Sequence, residues 1–437
     1  MLPWLSNFGE TFPLIAIAQK YRERGGDCLF VGFPMEYNKY IITKGFRFVV
    51  LETTPTSDEE TRYRKKIQNA FENYYQNKIP QEKIYTSLFS SDIESRNQIS
   101  QEIKILKNEN VDVAVSTYSF PSLFSARLAK IPIITIISGV VTPMFFEENR
   151  AVFPDGFENC FTRFVPQRIK DYFINEYIQR CKWGVKWYND QANEYGLPRL
   201  QRFLDLFRGD QTLVADDLNF INIAPTLYYP KENFIGPIVP DQAGLFKFDV
   251  KDPEVDELLK KPGKTILVGL GTLIAKNIFT EIIETLNTTS YKVLASHKGM
   301  FEMDTMQIHN ENMVVHEFFP SIQRLQMQAD LSIISGGRGA IYTAALSGRP
   351  IIGIPMHAEQ QWNLNNLLRH GVGIQISKKY FTKKKLIKAI EQIFSNYDYY
   401  RTNALHLQAS LQGLDAPEVA VKRIMAITSP PLQSTSF

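Results

Sequence analysis

The sequence predicts an α/β fold with two doubly wound parallel-sheet domains that face one another across a cleft. Two stretches alternate short apolar segments with helical patterns, which is typical of βαβ units. One starts near the N-terminus, and the other starts near residue 262, after the Pro- and Gly-rich segment NFIGPIVPDQAG. We therefore predict domains at 1–238 and 239–405, followed by a C-terminal helix that packs back and a tail at 406–437.

The first domain shows this alternation in order. Its predicted strands are MLPWL, CLFVGF, FRFVVL, VDVAVST, IPIITII and TLVAD. Between the first two, FPLIAIAQKYRERGG has a helical period, with Pro13 in its first turn and glycines at its end. A mostly polar helical region covers about 59–109, and an aromatic, less regular segment covers 150–235. The short first strand leaves open whether the chain starts further upstream.

The second domain repeats the pattern with helices between its strands. Its predicted strands are TILVGLG, YKVLAS, MVVHEF, ADLSIIS, PIIGIP and GVGIQI. Residues 397–427 are predicted to be helical, and the polar end TSPPLQSTSF is not. Strands of one parallel sheet bring the loops that follow them to a common edge, where ligands bind.

Composition excludes several classes of protein. The 437 residues contain 49 Lys and Arg against 46 Asp and Glu, a net charge of +3, so bulk charge does not predict nucleic-acid binding. Three distant cysteines, Cys28, Cys160 and Cys181, form neither a disulfide framework nor a zinc pair. We recognise no signal peptide, and the apolar segments fall short of the ~20 residues that span a bilayer. These features predict a cytoplasmic protein. The lysines of 378–388 predict a solvated helix face, with peripheral membrane contact as the alternative.

Two glycine-rich turns carry the strongest chemical signal. SGGRGA at 335–340 and GLGT at 269–272 each follow a predicted strand. Glycine lets a backbone approach a ligand closely, and free amides at a helix start attract anions such as a diphosphate. A tight strand-to-helix turn could require glycine for steric reasons alone. Neither turn is a Walker A motif or a first-turn GxGxxG, which disfavours a kinase or a nucleotide-dependent dehydrogenase.

An acid and an amide stand side by side after another strand. In PMHAEQQWN, Glu359 and Gln360 could hold neighbouring sugar hydroxyls through several hydrogen bonds. A capped helix start is the alternative interpretation. No His, Asp and Glu set has usable metal-ligand spacing, so we predict neither a metal nor a cofactor.

These pieces in this order resemble the nucleotide-sugar-dependent glycosyltransferases of the GT-B fold. The resemblance is to the family of UDP-glucuronosyl, UDP-glucosyl, sterol glucosyl and glycopeptide-antibiotic transferases. It rests on GLGT, EFFP, ADLSIISGGRGAIYTAALSGRPIIGIP and AEQQWNLNNLLRHGVGIQI, with SNFGETFP, NEYGLP, LVADDL and FIGPI in the first half. It implies two Rossmann-like domains and the transfer, with inversion, of a sugar from a nucleoside diphosphate, here UDP, to an acceptor hydroxyl.

The resemblance also implies a donor-binding site in the second domain. Its residues would be Gly271, Thr272, Phe318, Phe319, Ser335, Gly336, Gly337, Gly339, Ala340, Glu359 and Gln360. Phe318 would stack on the base, Phe319 would offer its backbone to that base, and the glycines would present amides to the diphosphate. Ser335 stands where the family usually has His, and Ala340 where it has Ser or Thr. The sequence leaves open whether Arg338 replaces the weakened contacts.

The catalytic base is predicted to be Glu10. Sugar transfer with inversion needs a general base on the acceptor hydroxyl. The first histidine of the chain is His297, so the first domain cannot supply the His that many relatives use. Gly9-Glu10 stands where sterol and antibiotic transferases carry Gly-Asp. A first-turn acid favoured by the helix dipole is the alternative. His316 and His357 fit hydrogen-bonding partners near the cleft better than catalysts.

The acceptor is expected to enter across the aromatic segment at 140–190, which suggests a lipid or another apolar compound, although such residues also build cores. Two other functions stay open. One is a nucleotide-sugar epimerase of the same fold. The other is a non-catalytic nucleotide-sugar-binding relative, which the departures at Ser335 and Ala340 favour.

Overall fold

A computed structural model describes residues 1–3, 8–34, 37–52, 92–182, 184–244, 252–271, 275–297, 310–320 and 322–428. The helices in these ranges are α1 (Phe8–Glu23), α2 (Asn38–Thr43), α3 (Asp92–Asn108), α4 (Phe120–Ala129), α5 (Pro143–Glu147), α6 (Gln167–Arg180), α7 (Val185–Tyr195), α8 (Leu218–Ile221), α9 (Pro253–Lys260), α10 (Lys276–Asn287), α11 (Ile322–Gln328), α12 (Arg338–Ser347), α13 (Ala358–Leu368), α14 (Lys383–Ser395), α15 (Tyr397–Leu411) and α16 (Ala416–Thr428). Much of the predicted helical region at 59–109 and the tail after 428 lie outside the described residues.

The strands follow the predicted apolar segments. They are β1 (Leu2–Pro3), β2 (Leu29–Gly32), β3 (Arg47–Val50), β4 (Ala114–Thr117), β5 (Ile133–Ile137), β6 (Gln211–Val214), β7 (Thr265–Gly269), β8 (Lys292–Ser296), β9 (Met313–His316), β10 (Leu331–Ile334), β11 (Ile351–Gly353) and β12 (Gly373–Gln375). Strands β4, β5, β8, β10 and β11 are buried along their whole length, as expected for strands with helices on both faces.

Both halves have the same strand order. The first sheet runs β1-β4-β5-β6, and a backbone hydrogen bond of 3.0 Å from Val31 to Met1 places the parallel pair β2-β3 beside β1. The second sheet runs β9-β8-β7-β10-β11-β12, and every pairing is parallel. Each half is therefore doubly wound in the order 3-2-1-4-5-6, which confirms the predicted fold class. The predicted domain boundaries stay predictions.

This strand order determines where ligands can bind. In a doubly wound sheet the winding reverses between two central strands, and the loops at their carboxyl ends diverge to leave a crevice. These switch points lie between β1 and β4 in the first half, where Leu2 pairs with Ser116. In the second half they lie between β7 and β10, where Gly269 pairs with Ile334.

The core extends from each sheet into the space between the halves. Around the first sheet, α1 packs against α16, and Ile17 and Ile424 lie in one buried cluster. A further cluster joins the two halves, since it contains Phe146 of α5 together with Tyr342 of α12 and Trp362 of α13. The two halves are thus packed against one another along the cleft. No helix in the described ranges is long and apolar enough to cross a membrane.

Candidate donor and acceptor site

The two glycine-rich turns meet at the switch point of the second sheet. Gly271 follows β7 with φ +78°, and a Cβ placed on it would lie 3.5 Å from the Oγ of Ser335, which follows the neighbouring strand β10. Ser335 itself is buried. The convergence predicted for these loops is therefore present, while Thr272 lies outside the described residues.

Gly336 and Gly337 serve different purposes. Gly336 has φ +91°, and a Cβ there would come within 2.5 Å of Leu364 Cγ and 2.6 Å of the Gln360 carbonyl oxygen. Gly337 has φ −59°, an ordinary value, and a Cβ there would meet no atom within 4 Å. The first glycine is required by the turn and its packing against α13. The second is required by neither, and it borders open space where α12 begins.

Arg338 opens α12 with a buried guanidinium nitrogen. Its Nη1 is shielded from solvent and has no hydrogen-bond partner within the described part of the chain. Such an atom is costly to bury unless a ligand satisfies it. The first amides of α12 have no acceptor within the helix, as at any helix start, and they add a partial positive charge. The start of α12 therefore combines free amides with a guanidinium nitrogen that has no described hydrogen-bond partner, an arrangement that suits an anionic ligand.

Glu359 and Gln360 lie in the first turn of α13. Burial raises the pKa of the Glu359 carboxyl, which Arg338 opposes. Gln360 is 5% exposed, and its Oε1 accepts a hydrogen bond of 2.8 Å from the backbone of Met356. The side-chain oxygen of Gln360 thus holds the loop after β11. The amide nitrogen Nε2 is the group left to donate to a ligand.

Phe318 and Phe319 follow β9 and differ in exposure. Phe318 is 37% exposed, whereas Phe319 is 2% exposed and packs with Val255 and Leu325. The partly exposed ring of Phe318 is compatible with the predicted stacking on a base. The buried ring of Phe319 is compatible with a contact made by its backbone alone. His316 on the same strand lies 3.1 Å from Asp252 through Nε2, so a carboxylate holds this ring.

Glu10 lies on the opposite side of the cleft, in the first turn of α1. Thr117, the last residue of β4, donates a hydrogen bond of 3.4 Å to its Oε2. Two residues further along α1, Phe12 would be 3.6 Å from a Cβ on Gly339 in α12. The switch point of the first sheet therefore faces the glycine turn of the second. Gly339 lies in this contact, and Ala340 packs against the shared core.

Tyr118 was missed by sequence reasoning, and it joins the two sides. It follows β4 with φ +53°, and its hydroxyl accepts a hydrogen bond of 2.7 Å from the amide of Ser138. Burial raises the pKa of its phenol, and the charges of Arg338, Glu359 and Glu10 also act on it. Non-glycine residues with positive φ are uncommon and concentrate at functional sites. Its place directly after a strand was the available signal.

Asp216 is a second missed residue. It follows β6, is 2% exposed, and accepts hydrogen bonds from Ser138 Oγ at 3.1 Å and the Gly139 amide at 2.5 Å. The hydroxyl of Tyr342 on α12 also donates to it at 2.5 Å. Burial raises the pKa of Asp216, while Arg338 and these donors oppose the rise. This carboxyl of the first half therefore fastens the helix that carries the glycine turn.

His357 lies just before α13. Burial lowers the pKa of its imidazole to about 4, and the nearby charge of Lys378 acts in the same direction. The ring is therefore neutral at neutral pH. Among the described residues, no group of three His, Cys, Asp or Glu side chains is placed to hold a metal ion. The predicted independence from a metal or cofactor stays a prediction.

Solved structures with this architecture include the glycotransferase of kitacinnamycin. It superposes with a TM-score of 0.67 over 98% of each chain, at 16% sequence identity. The fold is that of the GT-B glycosyltransferases.

The family model described as UDP-glucoronosyl and UDP-glucosyl transferase matches residues 41–417, and the chain belongs to this family of glycosyltransferases. A "PGL/p-HBAD biosynthesis glycosyltransferase" of Mycobacterium tuberculosis is 25% identical over 313 residues, covering 70% of this chain and 68% of the relative. A "PGL/p-HBAD biosynthesis rhamnosyltransferase" of Mycobacterium bovis is 23% identical over 339 residues, covering 75% and 70%. The resemblance inferred from the motifs is confirmed.

Proposed function

We propose that this glycosyltransferase moves a sugar from a UDP-sugar to an acceptor hydroxyl with inversion at the anomeric carbon. The observation that carries the proposal is the pairing of facing groups across the cleft. Arg338, Gly337 and Glu359 stand on one side, and Glu10 and Tyr118 stand on the other. A donor held by the first side would present its sugar to an acceptor held by the second.

Glu10 acts as the general base in this proposal. It takes the proton of the acceptor hydroxyl while that oxygen forms a bond to the anomeric carbon. The bond from this carbon to the phosphate oxygen breaks, and the nucleoside diphosphate leaves with the electron pair. The amides at the start of α12 and the guanidinium of Arg338 stabilise the charge that develops on the leaving group. No metal is needed for this charge stabilisation.

In the donor, the sugar is assigned to Glu359 and Gln360, and the nucleobase to Phe318 and Phe319. We also propose an apolar acceptor and a peripheral contact with membranes on the cytoplasmic side. An apolar acceptor is supported by the aromatic segment beside the cleft, where Phe145 and Phe146 lie against Trp362 of α13. Sugar transfer is supported by the mycobacterial relatives, which are named as a glycosyltransferase and a rhamnosyltransferase.

Titration calorimetry and product analysis test the proposal. UDP should bind more tightly than dTDP, and an α-linked UDP-sugar should yield a β-glycoside by NMR. Retention of the anomeric configuration would contradict the proposed role of Glu10. UDP binding without turnover of any donor would support the non-catalytic alternative, and conversion of the donor to an epimer without an acceptor would support the epimerase.

A further inference from the structure

An aromatic patch projects from the first half of the chain, away from the core. Fifteen large apolar side chains are exposed in the described ranges, and six of them fall between residues 161 and 177. The patch consists of Phe161, Phe164, Ile169, Tyr172, Phe173 and Tyr177. Phe161 is 82% and Phe164 is 86% exposed. An apolar surface this concentrated marks an interaction site on a globular protein.

The helix that carries the patch is fixed with this face outward. The opposite face of α6 is buried, with Ile174 at 4% and Asn175 at 0% exposed. Asn175 bonds the backbone of Ala151 twice, accepting from its amide at 3.2 Å and donating to its carbonyl at 2.8 Å. Because these bonds fasten α6 from below, its aromatic side cannot rotate into the core.

The segment that carries the patch also contains basic side chains. Lys170 pairs with Glu158, and Arg180 pairs with Glu176 at 2.6 Å, so these charges are balanced locally. Arg163 and Arg168 are exposed and make no ion pair with any described residue. Their charges remain available to a ligand.

A second basic segment reaches the same place. Lys379 donates to the carbonyl oxygen of Glu158, and the hydroxyl of Tyr380 donates to its side chain at 2.9 Å. Further along, Lys383 pairs with Glu284 at 2.7 Å, and Lys385 donates to the carbonyl oxygen of Tyr380 at 2.8 Å. The aromatic patch thus has cationic neighbours from both halves of the chain.

We propose that the aromatic patch docks on an anionic lipid surface. Aromatic side chains favour the interface between headgroups and acyl chains, and Arg and Lys beside them attract anionic headgroups. A protein partner would have to match two protruding phenylalanines with apolar pockets and the arginines with acids, whereas a bilayer needs no such pockets. Lipid is therefore the occupant that this combination of residues fits best.

Docking there would bring an acceptor held in the bilayer towards the cleft. The chain leading into the patch contacts the donor half, since Trp362 donates a hydrogen bond of 2.8 Å to the carbonyl of Val152. Gln361 also accepts one of 2.9 Å from the amide of Asp155. This extension to the acceptor rests on the proposed function, but membrane docking itself does not.

Vesicle flotation with the full chain tests the docking. The probes are phosphatidylcholine vesicles with and without phosphatidylglycerol, at low and at high salt. We expect binding to the anionic vesicles that weakens with salt. The double variant Phe161→Ser/Phe164→Ser should bind them at least about tenfold more weakly. Arg163→Gln/Arg168→Gln should lose most of the preference for anionic lipid. The control Leu227→Ser/Leu405→Ser, which removes two exposed leucines elsewhere, should bind as the unchanged protein does.

The outcomes separate docking from sugar transfer. UDP affinity measured by calorimetry should be equal in all these variants. If the unchanged protein binds vesicles but does not bind UDP, the proposed function is contradicted and the docking still holds. The docking is overturned if the unchanged protein fails to float with either vesicle, or if the phenylalanine variant floats equally well. A dimer that the same variant abolishes, detected by light scattering without lipid binding, would assign the patch to a second copy of the chain.

Discussion

Replacing Gly337 by valine is expected to weaken donor binding strongly while leaving the fold intact. Gly337 has an ordinary φ of −59°, and a Cβ there would meet no protein atom within 4 Å. The valine side chain would therefore occupy space that the protein leaves open beside the start of α12. A diphosphate would lose at least one charge-assisted bond to an amide, each of which contributes about 1.5–3 kcal/mol. This corresponds to a loss of UDP affinity of about 10- to 150-fold or more.

The neighbouring glycine provides the matched control. Gly336 has φ +91°, and a Cβ there would clash with Leu364 Cγ at 2.5 Å and with the Gln360 carbonyl oxygen at 2.6 Å. Gly336→Ala combines a strained backbone with overpacking, which together lower the free energy of unfolding by roughly 2–5 kcal/mol. Two adjacent substitutions should thus lower different quantities: Gly337→Val lowers UDP affinity, and Gly336→Ala lowers the free energy of unfolding.

Calorimetric titration with UDP and urea unfolding of both variants measure these effects. The reasoning holds if Gly337→Val unfolds with the unchanged midpoint and binds UDP weakly, and if Gly336→Ala unfolds at clearly lower urea. Normal UDP affinity in a folded Gly337→Val protein would refute it, because the open space beside Gly337 would then not be the diphosphate site.

Three further predictions concern the two sides of the cleft and its pH dependence. Glu10→Gln should lower the transfer rate about 10²-fold or more while donor affinity is unchanged; a normal rate measured by product formation would place the base elsewhere. Arg338→Met should weaken UDP binding about 10- to 150-fold, since a charged partner is lost, without lowering the thermal midpoint, because Nη1 has no described protein partner; a lower midpoint with full affinity would indicate a structural role. His357 has a pKa of about 4 in the folded protein against 6.5 for a free side chain, so below pH 6.5 the unfolded chain binds the extra proton. The free energy of unfolding should therefore fall by up to about 3 kcal/mol as the pH drops from 6.5 to 4, and His357→Gln should flatten that part of the urea-unfolding profile; parallel profiles would contradict the assignment.

Local patterns were sufficient to predict the framework of the protein. Alternating apolar and amphipathic segments specify strands and helices, because backbone geometry fixes their periods. Parallel strands connected by helices then place the loops after β7 and β10 at one edge, which is why two glycine turns 60-odd residues apart could be assigned to one site. The motif order was specific enough to identify the glycosyltransferase family.

The groups that complete the site depend on contacts between distant parts of the chain. Asp216 and Tyr342 are hydrogen-bonded across the cleft although they are far apart in sequence. The local sequence pattern around either residue cannot predict such a pair. Tyr118 looks like any residue after a strand until its positive φ and its charged neighbours are known.

In the aromatic segment at 140–190, too, the tertiary structure decides what the sequence leaves open, namely which side chains are buried. Its composition cannot separate a core from an exposed surface, since both use large apolar side chains. Phe146 is buried at 1% exposure, whereas Phe173 is 61% exposed, and adjacent Ile174 is buried. The helix at Gln167–Arg180 was not predicted, and its side facing the protein is determined by where Asn175 and Ile174 find partners. Burial depends on the whole surrounding surface, and therefore only the assembled fold determines which aromatic side chains remain available for binding.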